Sequence, residues 1–289
     1  MSLLNVIILA IVQGLAELLP VSSSAHVVIA EKLMGLDPSS PPMTLLLVML
    51  HTGTMCAVIV YFWRRWRSTY FESPAAFKKF AGLVILATIL TGIIGETTIK
   101  FMKETVFRGA PNAEIEDLFS HLELIAPALA IAGLLILSAG IFEKRNPAGS
   151  MAGTNDLNAR QAALIGAVQG LCLPFRGFSR SGATISAGML AGAAKLRVES
   201  FSFALAVVLT PAVVAREALR LIRAEQFSGS ASLASTAFLS LIGALLAFVA
   251  GLLALQWLGR WLEGGRWYLF GVYCLVAAGA VETLHHIGY

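Results

Sequence analysis

Charge is scarce in this sequence. Only 13% of the residues are Asp, Glu, Lys or Arg, while 57% are hydrophobic; soluble domains carry about 25% charged residues. That deficit excludes an ordinary water-soluble domain and makes lipid the solvent. Cysteine is scarce too. Cys56, Cys172 and Cys274 are odd in number and scattered through apolar stretches, which excludes a disulfide frame or a thiolate metal site and leaves three small hydrophobes. The N-terminus lacks any cation within residues 1–5, and no small-residue cleavage pattern follows the apolar residues 3–12. It does not read as a signal peptide. Too short to cross a bilayer alone, it is expected to belong to the mature fold.

What the chain does have is apolar length. Residues 43–62, 122–142 and 233–258 span or nearly span hydrocarbon, and residues 80–95, 201–215 and 267–281 would cross with modest flanking help. The net charge of +4 could suggest an anionic polymer as partner, but its placement argues against nucleic acid. Arg64, Arg65 and Arg67 interleave with Trp63 and Trp66 directly after a spanning run, as an interfacial aromatic belt with cytoplasmic anchoring would.

An internal repeat organises the chain. Val12-Gln13-Gly14-Leu15 returns as Val168-Gln169-Gly170-Leu171, and at this spacing Ser23 falls opposite Ser179. Each copy ends a short apolar helix and leads into a Ser-containing loop and a second short helix. Irregular backbone at membrane depth survives only where it is buried or lines a cavity, so each copy reads as a re-entrant helical hairpin. Two such hairpins in corresponding positions point to a site at their interface. The expected fold class is therefore an all-α integral membrane protein with six transmembrane helices, two re-entrant helical hairpins and an inverted-topology repeat. It forms a single membrane domain over residues 1–289 with pseudo-repeat halves 1–150 and 151–289. Lys and Arg crowd one predicted side (Arg64, Arg65, Arg67, Lys78, Lys79, Lys144, Arg145, Lys195, Arg197, Arg260, Arg266), while on the other Glu104, Glu114, Glu116 and Asp117 outweigh Lys100, Lys103 and Arg108. The positive-inside rule then places both termini outside the cytoplasm, although Arg216, Arg220 and Arg223 fall on the outer side against the trend.

Polar groups concentrate in the two loops. Gln13 and Glu17 are four apart and share a helix face; Pro20 then stops that helix, and Ser22, Ser23, Ser24 and His26 open the next. One Ser is accounted for as an N-cap. Three hydroxyls, a Glu and a His in a membrane turn are not, because ionisable groups there are costly and mark function. The second loop supplies Arg180 between Ser179 and Ser181, with Gly177 and Gly182 beside them, Arg176 upstream and Thr184 in the following helix. Arg suits bidentate contact with phosphate oxygens, and helix starts add partial positive charge. Together these favour an anion with several oxygens, for which a diphosphate is well suited. His51, with Thr52 and Thr54 close by in a spanning run, reads as a buried, hydrogen-bonded helix residue before a pocket residue. His285 and His286 read as interfacial.

Residues 13–26, Gln-Gly-Leu-Ala-Glu-Leu-Leu-Pro-Val-Ser-Ser-Ser-Ala-His, resemble the first signature of bacterial undecaprenyl-diphosphate phosphatases of the bacitracin-resistance type. Residues 177–186, Gly-Phe-Ser-Arg-Ser-Gly-Ala-Thr-Ile-Ser, look like their second, and Arg160-Gln161-Ala162 and Phe62-Trp63-Arg64-Arg65 are similar as well. The sequence departs from the family pattern at Gln13, where a second Glu is frequent, at Ala25 in place of Gly, and at Arg176 in place of Pro. Arg176 could add a second cation near the phosphates or face the interface; both readings stay open.

The resemblance implies hydrolysis of a polyprenyl diphosphate lipid to the monophosphate and inorganic phosphate, recycling the lipid carrier of peptidoglycan synthesis. It further implies a bacterial inner-membrane location, a pocket open to the periplasmic or outer side, and a divalent cation, Mg²⁺ first and Ca²⁺ as the other option. On this reading Glu17 and Gln13 hold the metal, and Arg180 binds phosphate with Ser22, Ser179, Ser181 and Thr184. Ser23 is the nucleophile and His26 the base or a further phosphate contact; in the rival scheme Ser23 only binds while His26 or Glu17 activates water. The sequence leaves a homodimer open. A transporter or flippase for a phosphate-bearing lipid would use the same inverted-repeat cavity, but a base beside a hydroxyl favours chemistry. Lipid phosphatases with a Ser-Arg motif and a downstream catalytic His are excluded, because no His lies between Arg180 and His285.

Overall fold

The computed structural model describes residues 2–37, 40–106, 122–145, 156–225 and 233–287. Among the described residues there are ten helices and no strand: α1 (Leu3–Leu18), α2 (Ser23–Leu33), α3 (Pro41–Thr69), α4 (Pro74–Val106), α5 (Leu122–Arg145), α6 (Ala159–Cys172), α7 (Arg180–Leu190), α8 (Lys195–Glu225), α9 (Leu233–Glu263) and α10 (Trp267–His286). Residues Arg108, Glu114, Glu116 and Asp117, which carry part of the charge argument, lie outside the described residues.

Four helices are short, and they stand where the repeat places them. At a rise of 1.5 Å per residue, α1 (16 residues) and α6 (14 residues) fall short of a hydrocarbon core about 30 Å thick, and α2 and α7 (11 residues each) fall further short. Five others, α3, α4, α5, α9 and α10, are long and apolar enough to cross, so the chain is an all-α, multi-pass membrane protein. The sixth expected crossing lies in α8, whose apolar stretch between Glu199 and Arg216 is shorter than the roughly 20 residues a span asks.

Local chemistry sets the ends. Ser2 caps α1 by accepting from the Asn5 N–H (3.2 Å). At its far end Leu19 turns extended (φ −80°, ψ 149°), the conformation the following Pro20 imposes on its predecessor. Asn158 and Gln161 close a reciprocal capping box on α6.

The chain gathers into two compact units. The first comprises Met1–Leu19, Ser23–Trp63 and Ala206–Gly259; the second comprises Pro20–Ser22, Arg64–Leu205 and Arg260–Tyr289. In the first, Val6, Leu9 and Ala10 of α1 form a core with Val27, Met43, Leu46, Leu50 and Ala247. In the second, α5 packs along α10, α4 along α6, and α7 against α5 and α6.

The repeat has a packing role in each unit. A Cβ on Gly14 would lie 2.8 Å from the Ala247 carbonyl oxygen of α9, and one on Gly170 would lie 2.8 Å from the Thr91 carbonyl oxygen of α4. Both glycines are therefore points where a spanning helix approaches backbone to backbone, as small residues allow in lipid. The preceding glutamines, Gln13 and Gln169, are both buried.

The Trp-Arg segment differs in part from the expected belt. Trp63 is exposed, but Trp66 is buried and its indole N–H donates to the Ser200 carbonyl (3.2 Å). A buried indole needs such an acceptor. Arg65 pairs with Glu199 (3.2 Å), and Lys195 is likewise turned inward onto Glu143.

Candidate active site

Gln13, Ser23 and His51, all polar side chains of the first unit, converge on one carboxylate oxygen of Glu17. Glu17 sits in the last turn of α1, one helical turn after Gln13, and the Gln13 amide donates to Glu17 Oε2 (3.2 Å). Ser23 opens α2, and its hydroxyl donates to the same oxygen at 2.5 Å. That length is typical of a charge-assisted O–H···O⁻ bond. From α3, His51 brings Nε2 to 3.8 Å from Glu17 Oε2. Pro20 makes this geometry: it ends α1 and turns the chain so that α2 runs back beside it, which carries Ser23 to Glu17. His26 lies one turn into α2 and is half-buried.

His51 is the residue whose expected role changes. It is hydrogen-bonded as foreseen, with Nδ1 facing the Leu47 carbonyl at 2.8 Å. It is not buried, because its side chain is 44% exposed, and it joins the Glu17 cluster. The signal for this was present in the sequence as an ionisable residue inside a spanning run, but nothing in linear spacing connects α3 to α1.

The second unit holds the Arg-bearing loop. Ser179 caps α7, its Oγ accepting from the Gly182 N–H (3.3 Å). Gly177 turns with φ +100°, and any Cβ there would come within 2.5 Å of the Ile125 carbonyl oxygen, so only glycine fits. Ser179 and Ser181 are buried, while Arg180 between them is half-buried. Thr184 is fully buried; its hydroxyl donates to the Arg180 carbonyl (2.7 Å) and shares a 2.6 Å bond with Ser202. Trp267 donates to Ser186 Oγ one half-turn further on (3.0 Å). The start of α7 is thus pinned from α8 and α10.

Pro20–Ser22, the turn between α1 and α2, belongs to this second unit. Cys274 Sγ donates to the Pro20 carbonyl (3.4 Å), and Pro20 Cβ lies 3.1 Å from where a Cβ on Gly182 would sit. Pro20 therefore touches the first turn of α7. Ser22, buried here, has φ +69°, alone among the described non-glycine residues in being positive. Such conformations persist where surrounding structure over-determines them and cluster at functional sites.

Chemically, the first cluster offers a hydroxyl already bonded to a carboxylate, the arrangement of an activated nucleophile and its base. The second offers a guanidinium and a helix start, the arrangement of an oxyanion binder. Long apolar helices define a multi-pass membrane protein, and the two loops hold these polar groups. The chain belongs to the family described as bacitracin resistance protein BacA, which matches residues 6–280. It is 55% identical over 287 residues to undecaprenyl-diphosphatase 2 of Acinetobacter baylyi, covering 98% of each chain. It is 33% identical over 285 residues to an undecaprenyl-diphosphatase of Desulfosudis oleivorans, covering 94% of this chain and 95% of that one.

Proposed function

We propose that the protein hydrolyses undecaprenyl diphosphate, or a close polyprenyl diphosphate, to the monophosphate and inorganic phosphate. This would recycle the lipid carrier for peptidoglycan synthesis in the bacterial inner membrane and confer bacitracin resistance. The single observation that carries the chemistry is the 2.5 Å bond from Ser23 to Glu17. Binding alone does not require a base beside a hydroxyl.

In this reading Ser23 Oγ attacks the terminal phosphorus as Glu17 takes its proton. Arg180, with the α7 start, Ser179, Ser181 and the neighbouring Ser22, draws charge from the phosphoryl oxygens, where catalysis of phosphoryl transfer is mostly positioning and neutralisation. Thr184, committed to the Arg180 carbonyl and to Ser202, holds the loop in shape. His26 contacts phosphate or returns a proton to the leaving group. Water then cleaves the phosphoserine.

A divalent cation suits the donor set. Among the described residues no three His, Cys, Asp or Glu side chains cluster, whereas Mg²⁺ needs only one or two carboxylates plus substrate phosphates. Glu17 with the Gln13 amide would hold it, and it would supply neutralisation of the diphosphate charge.

Several observations support an inverted repeat with six crossings and two re-entrant hairpins, in halves 1–150 and 151–289. Gly14 of α1 meets α9, and Gly170 of α6 meets α4, so each copy of the motif packs on the fourth helix of the other half. An odd number of crossings per half inverts the second. With the Lys/Arg-rich ends inside, both termini and the site would face the periplasmic side.

Phosphate release from undecaprenyl diphosphate by the detergent-purified protein tests the reading. Expected are stoichiometric monophosphate and phosphate, with loss on removing divalent cation. Absence of release, with movement of the intact lipid across vesicles, would instead support a transporter.

A further inference from the structure

The second unit encloses a cavity that the reaction described above does not use. It measures about 400 Å³ and lies where the end of α3 and the start of α4 meet the segment before α6 and the first turns of α8. None of its lining residues belongs to the two Ser-containing loops. Part of the wall is apolar, formed by Phe80, Leu83, Leu157 and Phe201, the last of them fully buried. Tyr70 stacks on Phe80 with ring centroids 4.0 Å apart, and Phe80 meets Phe201 edge-on at 6.3 Å. Interlocked rings of this kind hold the wall in place.

The rest of the wall is ionic, with Lys79, Asp156 and Arg197 lining it. Lys79 donates to Asp156 at 2.9 Å, so these two charges offset one another. Among the described residues the Arg197 guanidinium enters no hydrogen bond or ion pair, and it acts on Asp156 and Tyr70 only through space. The cavity therefore carries one cation in excess, set beside apolar surface. Its surroundings decide what reaches that cation. Phe71 and Phe77 are 48% and 47% exposed and stack on each other at 5.6 Å, with Phe71 also 6.5 Å from Phe80. Exposed aromatics just past a spanning helix belong at headgroup level, which turns this corner of the protein toward lipid phosphates.

We propose that this cavity binds one anionic phospholipid, its phosphate on Arg197 beside Lys79 and the upper part of an acyl chain along Phe80, Leu83 and Phe201. A guanidinium is suited to phosphate oxygens, and basic pockets between membrane helices take such headgroups. The excess charge selects against a zwitterionic lipid, whose own cation would meet Arg197 and Lys79. The apolar wall selects against free phosphate, which could use only the ionic part. Binding here is independent of the phosphatase reaction and is measured without turnover.

The test titrates full-length protein in neutral detergent with phosphatidylglycerol, phosphatidylcholine and inorganic phosphate, and follows retained lipid by native mass spectrometry. Wild type should hold one phosphatidylglycerol at least about 10-fold more tightly than phosphatidylcholine, and inorganic phosphate should not displace it at equal concentration. Arg197→Gln should weaken phosphatidylglycerol binding by about 10-fold, as loss of a charge-assisted contact does, and Arg197→Lys should recover most of it. Arg67→Gln removes an exposed cation that does not line the cavity and should change binding less than about 2-fold, because an exposed charge is screened. Arg180→Ala should likewise leave it unchanged. Equal retention of phosphatidylcholine, or wild-type affinity in Arg197→Gln, would overturn the proposal. So would an Arg67→Gln loss as large as that of Arg197→Gln, which would mean general attraction to a basic surface. Displacement by inorganic phosphate would show that the tail contributes nothing, and loss of the lipid in Arg180→Ala would move it to the other loop; either result overturns this site. All of these outcomes stand whether or not the protein releases phosphate from a diphosphate lipid.

Discussion

The Ser23 hydroxyl and Glu17 Oε2 lie 2.5 Å apart, six residues from one another in sequence and on two different helices. Only the stop at Pro20 makes this possible. The Ser23 hydrogen is thus directed at a carboxylate before any substrate arrives.

Ser23→Ala and Glu17→Gln should therefore fail differently. Ser23→Ala removes the attacking oxygen, and turnover in purified protein should fall by about 10³-fold or more. Glu17→Gln keeps the shape but not the base, with a loss on the order of 10²- to 10⁴-fold and a weakened response to added divalent cation. Substantial turnover by Ser23→Ala would leave Ser23 as a phosphate contact and make water the attacking group. A cation titration unchanged in Glu17→Gln would remove Glu17 from the metal.

Arg180 should be the group whose loss is felt chiefly in the rate. Its loop is set by the Thr184 hydroxyl on its carbonyl (2.7 Å) and by the Ser179 cap, so truncation of the side chain should leave the backbone in place. Arg180→Ala is expected to cost about 10²-fold or more in kcat, as removal of a preorganised donor does. Arg180→Lys should recover only part, because an ammonium lacks the planar fork. Turnover like wild type in Arg180→Ala would disprove its assignment.

Gly14 and Gly279 make a controlled pair for the packing argument. A Cβ on Gly14 would meet Ala250 Cβ at 2.5 Å and the Ala247 carbonyl oxygen at 2.8 Å, whereas one on Gly279 meets nothing within 4 Å. Gly14→Ala should lower stability by about 1–3 kcal/mol through overpacking of α1 on α9. Gly279→Ala should be neutral or slightly stabilising, since alanine is the better helix former. Thermal unfolding in detergent measures both, and equal melting temperatures would refute the close approach.

These contacts show what could and could not be read in the residues alone. Short helices α1, α2, α6 and α7 were legible because Pro20 and the Gly177 turn interrupt apolar runs at matching positions of a repeat. The Gln13–Glu17 face was legible from helical spacing. His51 was not, because its meeting with Glu17 depends on how α3 packs on α1, and packing of apolar helices leaves no periodic signal in a chain hydrophobic on all sides. Trp66 misled for a related reason. In sequence it is indistinguishable from its exposed neighbour Trp63, and only the Ser200 carbonyl, far along the chain, draws it inward.

The segment before α6 should respond to acid through Asp156. The hydrogen bond from Lys79 Nζ, at 2.9 Å, holds the Asp156 carboxyl below its ordinary range. A carboxylate with a lowered folded value stabilises above its unfolded pKa, about 3.9, and loses that contribution as pH falls through the folded one. Both side chains are more than half exposed (53% and 56%), so the effect is local and small. Hydrogen exchange over residues 156–165 should therefore be slower in wild type than in Lys79→Met by a constant margin from about pH 8 to pH 5, where the aspartate is fully charged in both folded and unfolded chains. The margin should close in more acidic buffer as Asp156 is protonated. A margin that persists in strong acid would mean that the ion pair does not hold this segment against α4, and the capping box at Asn158 would be left to explain its order.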